Sequence, residues 1–142
     1  MRWTTRPSTP ADATWIAELR AVVMRPDLER LGVFSPERVR QRFLDAFDPA
    51  LTRVIVVDRA DAGCVAVRSA PDGTWIEHFY LDERVQGHGV GTQVLQSVLA
   101  EDHPGPWRIN VLQQSPARRL YERHGFILDS EDEVDVFLVR RD

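Results

Sequence analysis

The sequence predicts a mixed α/β fold, and three observations support this. Segments 52–57, 64–68 and 74–81 are rich in apolar and β-branched residues and are separated by turn-forming Asp, Gly and Pro, as in an antiparallel meander. Helical patterns occur both before and after this meander. A further β-rich segment, 107–112, follows the first of the later helices. Strands that have helices on both sides along the chain indicate a mixed α/β sheet.

The first fifty residues contain one short strand and two helices. Residues 2–6 can form the strand, and a serine and a threonine followed by Pro10 are a helix-start signal. The apolar face of this first helix consists of Trp15, Ile16, Leu19, Val22 and Val23. Pro26 is expected to end or kink the helix, with one further turn before Gly32. A second helix begins at Ser35, stops before Pro49, and has an apolar face of Val39, Phe43 and Phe47.

The elements after the meander are a helix at 90–102, the strand at 107–112, a helix that starts at Ser115 and Pro116, and short strands at 126–128 and 134–139. The turn between the first two meander strands is expected to span 58–63. The acidic residues at 129–133 are expected to form a solvated turn.

Length and composition indicate a single soluble domain. The 142 residues are enough for one sizeable core, and 43% hydrophobic with 28% charged residues is ordinary for a globular chain. The net charge of −4 gives no basic surface for nucleic acid. Neither a signal peptide nor a membrane span is visible, so the expected location is cytoplasmic. Cys64 is the only cysteine and reads as a buried strand residue, which leaves no internal disulfide.

The segment at 74–81 runs directly into a glycine-rich loop that opens a helix. Gly87, Gly89 and Gly91 stand at alternate positions, where they remove β-carbons and permit positive φ. The first amides of the following helix lack intrahelical partners and carry the positive end of its dipole. These features suit a phosphate or pyrophosphate. A tight strand-to-helix turn that needs glycine for packing would give the same pattern.

Two common phosphate-binding loops are disfavoured. A P-loop ends in Gly-Lys-Ser or Gly-Lys-Thr, and no lysine occurs here. A dinucleotide fingerprint reads Gly-x-Gly-x-x-Gly, whereas the spacing here is Gly-x-Gly-x-Gly. The next strand of such a fingerprint also ends in an acidic residue, but the strand at 107–112 runs on to Gln113.

The loop resembles the cofactor loop of the GNAT N-acetyltransferase superfamily, whose pattern is Gln or Arg, two residues, Gly, one residue, and Gly or Ala. Gln86, Gly89 and Gly91 match this pattern. A second resemblance lies downstream, where the family has an Asn, a short helix with a Tyr, and Gly-Phe. The matching residues are Asn110, Ala117, Leu120, Tyr121, Glu122, Gly125 and Phe126. The resemblance covers roughly 52–139, and residues 1–51 fit only in general layout.

This resemblance implies a GNAT-like α/β fold: a mixed, mostly antiparallel central sheet flanked by helices on both faces, with the fourth and fifth strands splayed. It implies one acetyltransferase domain over 1–142, acetyl-CoA as co-substrate, no metal, and direct transfer of the acetyl group to a primary amine of a small molecule or peptide. A catalytically inactive CoA-binding sensor is the alternative. The residues implied in cofactor binding are Phe79, Tyr80, Leu81, Gln86, Gly87, His88, Gly89, Val90, Gly91, Thr92, Asn110, Ala117 and Tyr121.

The resemblance also assigns catalytic roles. Tyr121 would be the general acid that protonates the departing CoA thiolate, against the alternative of a tyrosine that only packs on the core. Asn110 could hydrogen-bond the pantetheine arm or position a water, against the alternative of a strand-end turn cap. The N–H of Leu81 would face the thioester oxygen. His88 and the arginines of the helix after Ser115 lie where CoA phosphates would run, although such arginines usually face solvent.

A general base is needed because an ammonium group cannot attack. Glu77 and His78 are the candidates, and in the resembled family a carboxylate at this part of the strand works directly or through water. The structural alternatives are a paired carboxylate for Glu77 and a hydrogen-bonded core histidine for His78. Regular strand alternation would place Trp75, Glu77, Phe79 and Leu81 on one face and Ile76, His78 and Tyr80 on the other. The amine acceptor is not readable from the sequence. Dimers are common in the family, so a homodimer is also open.

Overall fold

A computed structural model describes residues 1–141 of the chain and contains seven strands and four α-helices in that range. The strands are β1 (Trp3–Pro7), β2 (Thr52–Val57), β3 (Ala60–Ala70), β4 (Gly73–Leu81), β5 (Trp107–Leu112), β6 (Ile127–Glu131) and β7 (Asp135–Arg140). The helices are α1 (Ala13–Arg30), α2 (Pro36–Ala46), α3 (Val90–Leu99) and α4 (Ala117–Arg123).

The strands form one mixed sheet in the order β1-β2-β3-β4-β5-β7-β6. Every neighbouring pair is antiparallel except β4 and β5, which run parallel. A parallel pair needs a crossover connection, and the segment that contains α3 provides it. The predicted mixed, mostly antiparallel sheet is therefore confirmed.

Helices cover both faces of the sheet, as predicted. On one face α3 and α4 pack against apolar strand residues in the larger core cluster, which includes Leu95, Ile76 and Phe126. On the other face α1 and α2 contribute Ile16 and Phe43 to a smaller cluster with Val54 and Cys64 of the sheet. Cys64 is fully buried, and burial raises the pKa of its thiol to about 12, so it is a core residue and not a reactive one.

Local signals explain where the first two helices begin. Asp12, at the start of α1, accepts hydrogen bonds from the Thr9 amide and the Trp15 indole, both at 2.8 Å. Ser35 caps α2 by accepting a hydrogen bond from the Arg38 amide at 3.2 Å. Helix α1 does not end at Pro26 but continues to Arg30.

Three sequence predictions about secondary structure and burial are wrong in detail. The turn predicted at 58–63 is only two residues long, because Asp58 and Arg59 both take positive φ and close a tight hairpin between β2 and β3. Part of the acidic stretch at 129–133 lies in β6, an edge strand whose side chains all face solvent, so strand pairing there buries no charge. Val22 is 54% exposed and is not part of the buried face of α1.

Among residues 1–141, none of the helices combines the length and apolar character that crossing a bilayer requires. In the same range, no group of three His, Cys, Asp or Glu side chains is arranged to hold a metal ion.

Candidate active site

Strands β4 and β5 separate after a short stretch of pairing. They are paired only over 74–76 of β4 and 107–109 of β5. Beyond that point β4 continues to pair with β3, and β5 with β7. The facing edges of 77–81 and 110–112 therefore enclose a cleft in the sheet, and the predicted splay of the fourth and fifth strands is confirmed.

A β-bulge in β4 changes which side chains face which side of the sheet. Cys64 lies opposite Tyr80, but Ala66 lies opposite Glu77, so β4 has one more residue than β3 over this stretch. His78 and Phe79 together face the single residue Val65 of β3, and the φ of His78 is +46°. A non-glycine residue with positive φ is costly and is typical of functional sites.

The bulge makes the predicted alternation of β4 wrong beyond Glu77. Tyr80 packs in the α1–α2 cluster and lies opposite Cys64, whereas Phe79 and Leu81 pack against the α3–α4 cluster. Glu77 lies opposite Ala66, which shares a face with Cys64, so Glu77 and Tyr80 lie on the same side of the sheet. The His78 ring also lies on that side, because it contacts the Phe43 ring of α2 edge-on at 5.1 Å.

The glycine-rich loop lies between the end of β4 and the start of α3. Gln86 Nε2 donates a hydrogen bond to the Leu81 carbonyl at 2.8 Å, which ties the loop to the strand end. Gly87 and Gly89 have φ of 77° and 82°, and Gly89 is the residue immediately before α3. A β-carbon at Gly87 would meet nothing within 4 Å, so the space beside Gly87 is open.

The amides of this loop are available to a ligand. Within residues 1–141, no loop carbonyl, strand carbonyl or side chain accepts a hydrogen bond from the N–H groups of 87–92. Because α3 is ten residues long, its dipole adds a positive potential at the same place. Unpaired amides beside open space form a suitable cradle for a phosphate or pyrophosphate.

Tyr121 lies on α4 with its ring in the core. The ring packs edge-on against Phe126, with the centroids 5.9 Å apart. Burial, with a smaller contribution from the nearby Tyr80 phenol, raises the pKa of Tyr121 above its usual value. Within residues 1–141, every fully buried side-chain oxygen has a hydrogen-bond partner. The Tyr121 hydroxyl has no partner in that range, so its oxygen is not fully buried. The hydroxyl is therefore the accessible tip of a buried side chain.

Glu77 is paired with an arginine. Arg68 donates to its Oε1 from Nε at 3.0 Å and from Nη2 at 2.7 Å, which raises the pKa of the guanidinium. Oε2 makes no hydrogen bond within residues 1–141, and the side chain is 30% exposed. The carboxylate thus keeps one oxygen free on the α1–α2 face.

His78 belongs to a hydrogen-bonded group that sequence analysis missed. Its Nδ1 lies 3.1 Å from the Tyr80 hydroxyl, which also accepts a hydrogen bond from Nε of Arg20 at 2.9 Å. Burial is the main cause that lowers the pKa of His78, and the Arg20 charge lowers it further against the opposing effect of Glu77. We call Arg20, His78 and Tyr80 the Arg20 cluster. The sequence indicates this cluster only through the spacing of Arg20, which stands four residues after Ile16 and so shares the buried face of α1.

The remaining predicted residues occupy the edges of the cleft and the loop. Asn110 is exposed and lies just beyond the last β4–β5 pair. Ala117 begins α4 and packs against the core, and its amide donates to Ser115 Oγ at 3.2 Å. His88 is exposed on the loop. Arg118 lies 3.4 Å from Glu122 on the same helix.

Comparisons with known proteins agree with this geometry. Residues 50–128, more than half of the chain, match the family model described as an acetyltransferase (GNAT) domain. The sequence matches no curated protein. The fold is similar to PaiA N-acetyltransferase from Thermoplasma acidophilum in complex with coenzyme A, at 14% identity and a TM-score of 0.77 over 100% of both chains.

Two further structures have the same fold. PH1933 from Pyrococcus horikoshii OT3 has 19% identity and a TM-score of 0.76 over 99% of both chains. N-acetylglutamate synthase from Neisseria gonorrhoeae, complexed with coenzyme A and N-acetyl-glutamate, has 18% identity and a TM-score of 0.66 over 99% of this chain and 35% of that one. At such identities the likeness shows the fold, while the match to residues 50–128 shows the family. The chain belongs to the GNAT acetyltransferase family and is an acyltransferase.

Proposed function

We propose that this protein binds acetyl-CoA and transfers its acetyl group directly to a primary amine of a small molecule or peptide. The observation that carries the proposal is the open row of unpaired amides at 87–92 beside the cleft between β4 and β5. Coenzyme A in two structures of similar fold supports the choice of cofactor. When bound, acetyl-CoA supplies the acetyl group as a thioester and leaves as the thiol.

The glycine-rich loop would hold the pyrophosphate. Amides of Gly87, His88, Gly89, Val90, Gly91 and Thr92 are the donors, and no acidic side chain stands among them. The exposed imidazole of His88 is available to a neighbouring phosphate. Gln86 keeps the loop attached to β4 through its hydrogen bond to Leu81.

Backbone groups of Phe79, Tyr80 and Leu81 would bind the pantetheine arm and the thioester. The Asp82 amide donates to Ala62 of the β3 side at 2.7 Å. Because successive amides of an extended strand point to opposite edges, this contact directs the Leu81 N–H toward the cleft. An oxyanion donor in this position is typically worth about 3 kcal/mol of transition-state stabilisation. Asn110 on the opposite edge, and Ala117 at the start of α4, would contact the arm from the β5 side.

Two side chains would move protons. Glu77 takes a proton from the bound ammonium group through its free Oε2, while its ion pair with Arg68 through Oε1 holds the carboxylate in position. The amine nitrogen then forms a bond to the acetyl carbon as the carbon–sulfur bond breaks. The Tyr121 hydroxyl gives its proton to the departing sulfur, and its raised pKa keeps it protonated at neutral pH. His78, neutral because burial lowers its pKa, is the second candidate for the base.

Calorimetry and thiol release together test the proposal. Acetyl-CoA and CoA are titrated into the protein, with ATP and NAD as controls, and the protein is then assayed for free thiol with a panel of amines. We expect binding of the two CoA ligands alone and amine-dependent thiol release. CoA binding without thiol release from any amine would indicate the sensor alternative, and equal binding of ATP or NAD would contradict the loop assignment.

A further inference from the structure

Arg20 is a partly buried cation without an anionic partner. Its Nε donates to the Tyr80 hydroxyl at 2.9 Å and its Nη1 to the Val39 carbonyl. No carboxylate in residues 1–141 lies within ion-pair distance of it. Its Nη2 makes no hydrogen bond in that range. Both of its partners are neutral groups, so its positive charge is not compensated.

Most of the other half-buried arginines are compensated by carboxylates. Arg6 contacts Asp12 and Asp61, Arg53 contacts Glu101, and Arg108 contacts Asp129, at distances from 2.5 to 3.0 Å. A charge that is withdrawn from water is costly unless an opposite charge lies beside it. Of the half-buried arginines, Arg20 and Arg140 have no such partner within residues 1–141. Arg140 lies opposite Trp107, at the end of β5 that is still paired with β4 and away from the cleft. Arg20 is the one of the two that lies beside the cleft, where a ligand that carries a negative charge would remove the cost.

The location of Arg20 connects this charge to the acceptor side of the active site. Its guanidinium shares the Tyr80 hydroxyl with His78, which is adjacent in sequence to Glu77 at the bulge of β4. Both candidate bases and Arg20 therefore lie on the α1–α2 face, beside the start of the cleft. An amine that reaches Glu77 or His78 there can present a second group to Arg20. A planar guanidinium is best suited to a carboxylate, which it can bind with two parallel hydrogen bonds.

We propose that Arg20 binds a carboxylate of the acceptor, so that the acceptor is a small amine that also carries a carboxylate, in other words an amino acid. This inference rests on the proposed function and specifies its substrate class. Arg20 would act as a specificity determinant: it orients the acceptor so that the amine meets the thioester, and it takes no part in the proton transfers.

An acidic surface cavity does not favour a polycationic acceptor instead. This cavity of about 260 Å³ lies between α1 and the end of β4, and its acidic lining residues are Glu18, Asp61, Asp82 and Glu83. Three of the four already pair with arginines, namely Arg40, Arg6 and Arg84. Ion pairs within the protein therefore neutralise most of the negative charge at this cavity, whereas the positive charge of Arg20 is not neutralised.

The test compares each amino acid with its own carboxamide. The two share a side chain, and the carboxamide lacks the carboxylate charge. The carboxamide also has a lower amine pKa, which by itself would raise the rate with the carboxamide, so a preference for the amino acid cannot come from the amine. Thiol release gives kcat/KM for the twenty common amino acids, their carboxamides, spermidine and a C-terminally amidated lysine peptide. We expect the wild-type protein to prefer at least one amino acid over its carboxamide by about 10- to 100-fold, the range for a charge-assisted contact. Arg20→Gln should bring that ratio close to one, and its KM for acetyl-CoA should stay unchanged.

Two further variants separate recognition from structure. Arg20→Lys retains the positive charge but cannot form two parallel hydrogen bonds to a carboxylate, so part of the preference for the amino acid should remain. Arg40→Gln removes an arginine on α2 that pairs with Glu18 on the surface, and the preference should be unchanged. If Arg20→Gln does not fold, the wild-type ratio of kcat/KM between amino acid and carboxamide, together with the same ratio for Arg20→Lys, still tests the role of Arg20.

The outcomes that would overturn the inference differ from those that would overturn the proposed function. Equal use of amino acids and carboxamides by the wild type, or thiol release only with spermidine or the amidated peptide, would refute the role of Arg20 while acetyl transfer stands. The same holds if Arg20→Gln lowers both rates equally. If no amine of any class releases thiol, the proposed function itself fails, and the substrate class fails with it.

Discussion

Replacing Tyr121 with phenylalanine should lower turnover without a matching loss of stability or cofactor affinity. The chain has two tyrosines, and their hydroxyls differ in a useful way. The Tyr121 hydroxyl makes no hydrogen bond to the described residues, whereas the Tyr80 hydroxyl contacts both Arg20 and His78. The matched variants Tyr121→Phe and Tyr80→Phe therefore separate a chemical role from a structural one.

The structure sets the expected magnitudes. Tyr121→Phe removes no internal hydrogen bond and keeps the ring against Phe126, so the free energy of unfolding should change by less than about 0.5 kcal/mol. Tyr80→Phe leaves two polar partners unsatisfied and should cost about 1–3 kcal/mol. A general acid contributes roughly 10²–10⁴-fold, so kcat of Tyr121→Phe should fall by that factor.

Three measurements check this: kcat from thiol release, acetyl-CoA affinity from calorimetry, and stability from urea unfolding. Because burial raises the pKa of Tyr121, the acid stays protonated and should cause no fall in wild-type kcat below about pH 10. Wild-type turnover in Tyr121→Phe would refute the assignment. An equal loss of cofactor affinity would also count against it, since it would indicate a binding contact instead of proton donation.

The other predictions concern the loop, the base and the ion pairs. Gly89→Val should lower acetyl-CoA affinity, measured by calorimetry, at least about tenfold, because a β-branched residue disfavours the positive φ that aligns the amides. Gly32 also has a positive φ but lies far from the loop, so the control variant Gly32→Val should leave the affinity unchanged. Glu77→Gln should lower kcat by roughly 10²–10⁴-fold, the contribution of a general base. If His78→Asn lowers kcat instead, the base is the histidine, and because burial lowers its pKa the acidic limb of the pH–rate profile lies below about pH 6.5. The Arg53 guanidinium, with His103 beside it, lowers the pKa of Glu101 to about 2, so this pair should stabilise the fold at pH 7 and lose its contribution as the pH falls from about 4.3 toward about 2. Glu101→Gln should therefore cost about 1–2 kcal/mol in urea unfolding at pH 7 and less at pH 3, and an equal cost at both values would contradict the linkage.

The geometry of the glycine-rich loop could be predicted from the sequence because its determinants are local. Glycines at 87, 89 and 91 limit which backbone conformations the loop takes, and an apolar helical pattern follows at once. A strand, a loop and a helix start that are contiguous in sequence are also contiguous in space. The same reasoning located Ser115 and Tyr121, since a cap and a short amphipathic pattern suffice to begin α4.

The faces of β4 could not be predicted in the same way. Alternation is a property of a regular strand, whereas the bulge is defined by the register of β4 against β3. Nothing in the residues from Glu77 to Tyr80 states that one of them lacks a partner on the neighbouring strand. The sequence therefore separated Glu77 from Tyr80 and grouped it with Phe79, the reverse of what the structure shows.

The α1–α2 side of the candidate site, where we propose that the acceptor binds, depends on a long-range contact that no local pattern describes. Arg20 and Tyr80 are sixty residues apart, and Arg20 lies in the first 49 residues, outside the part of the chain that matches the family model. Members of a family can share the loop and the cleft while the helices over them differ, because cofactor binding constrains only the former. The hydrogen bond from Arg20 to Tyr80 joins the two parts, since it fixes a charge from α1 onto the strand that would present the thioester. If that charge selects the acceptor, substituting α1 residues should change which amines are used and leave CoA affinity as it was.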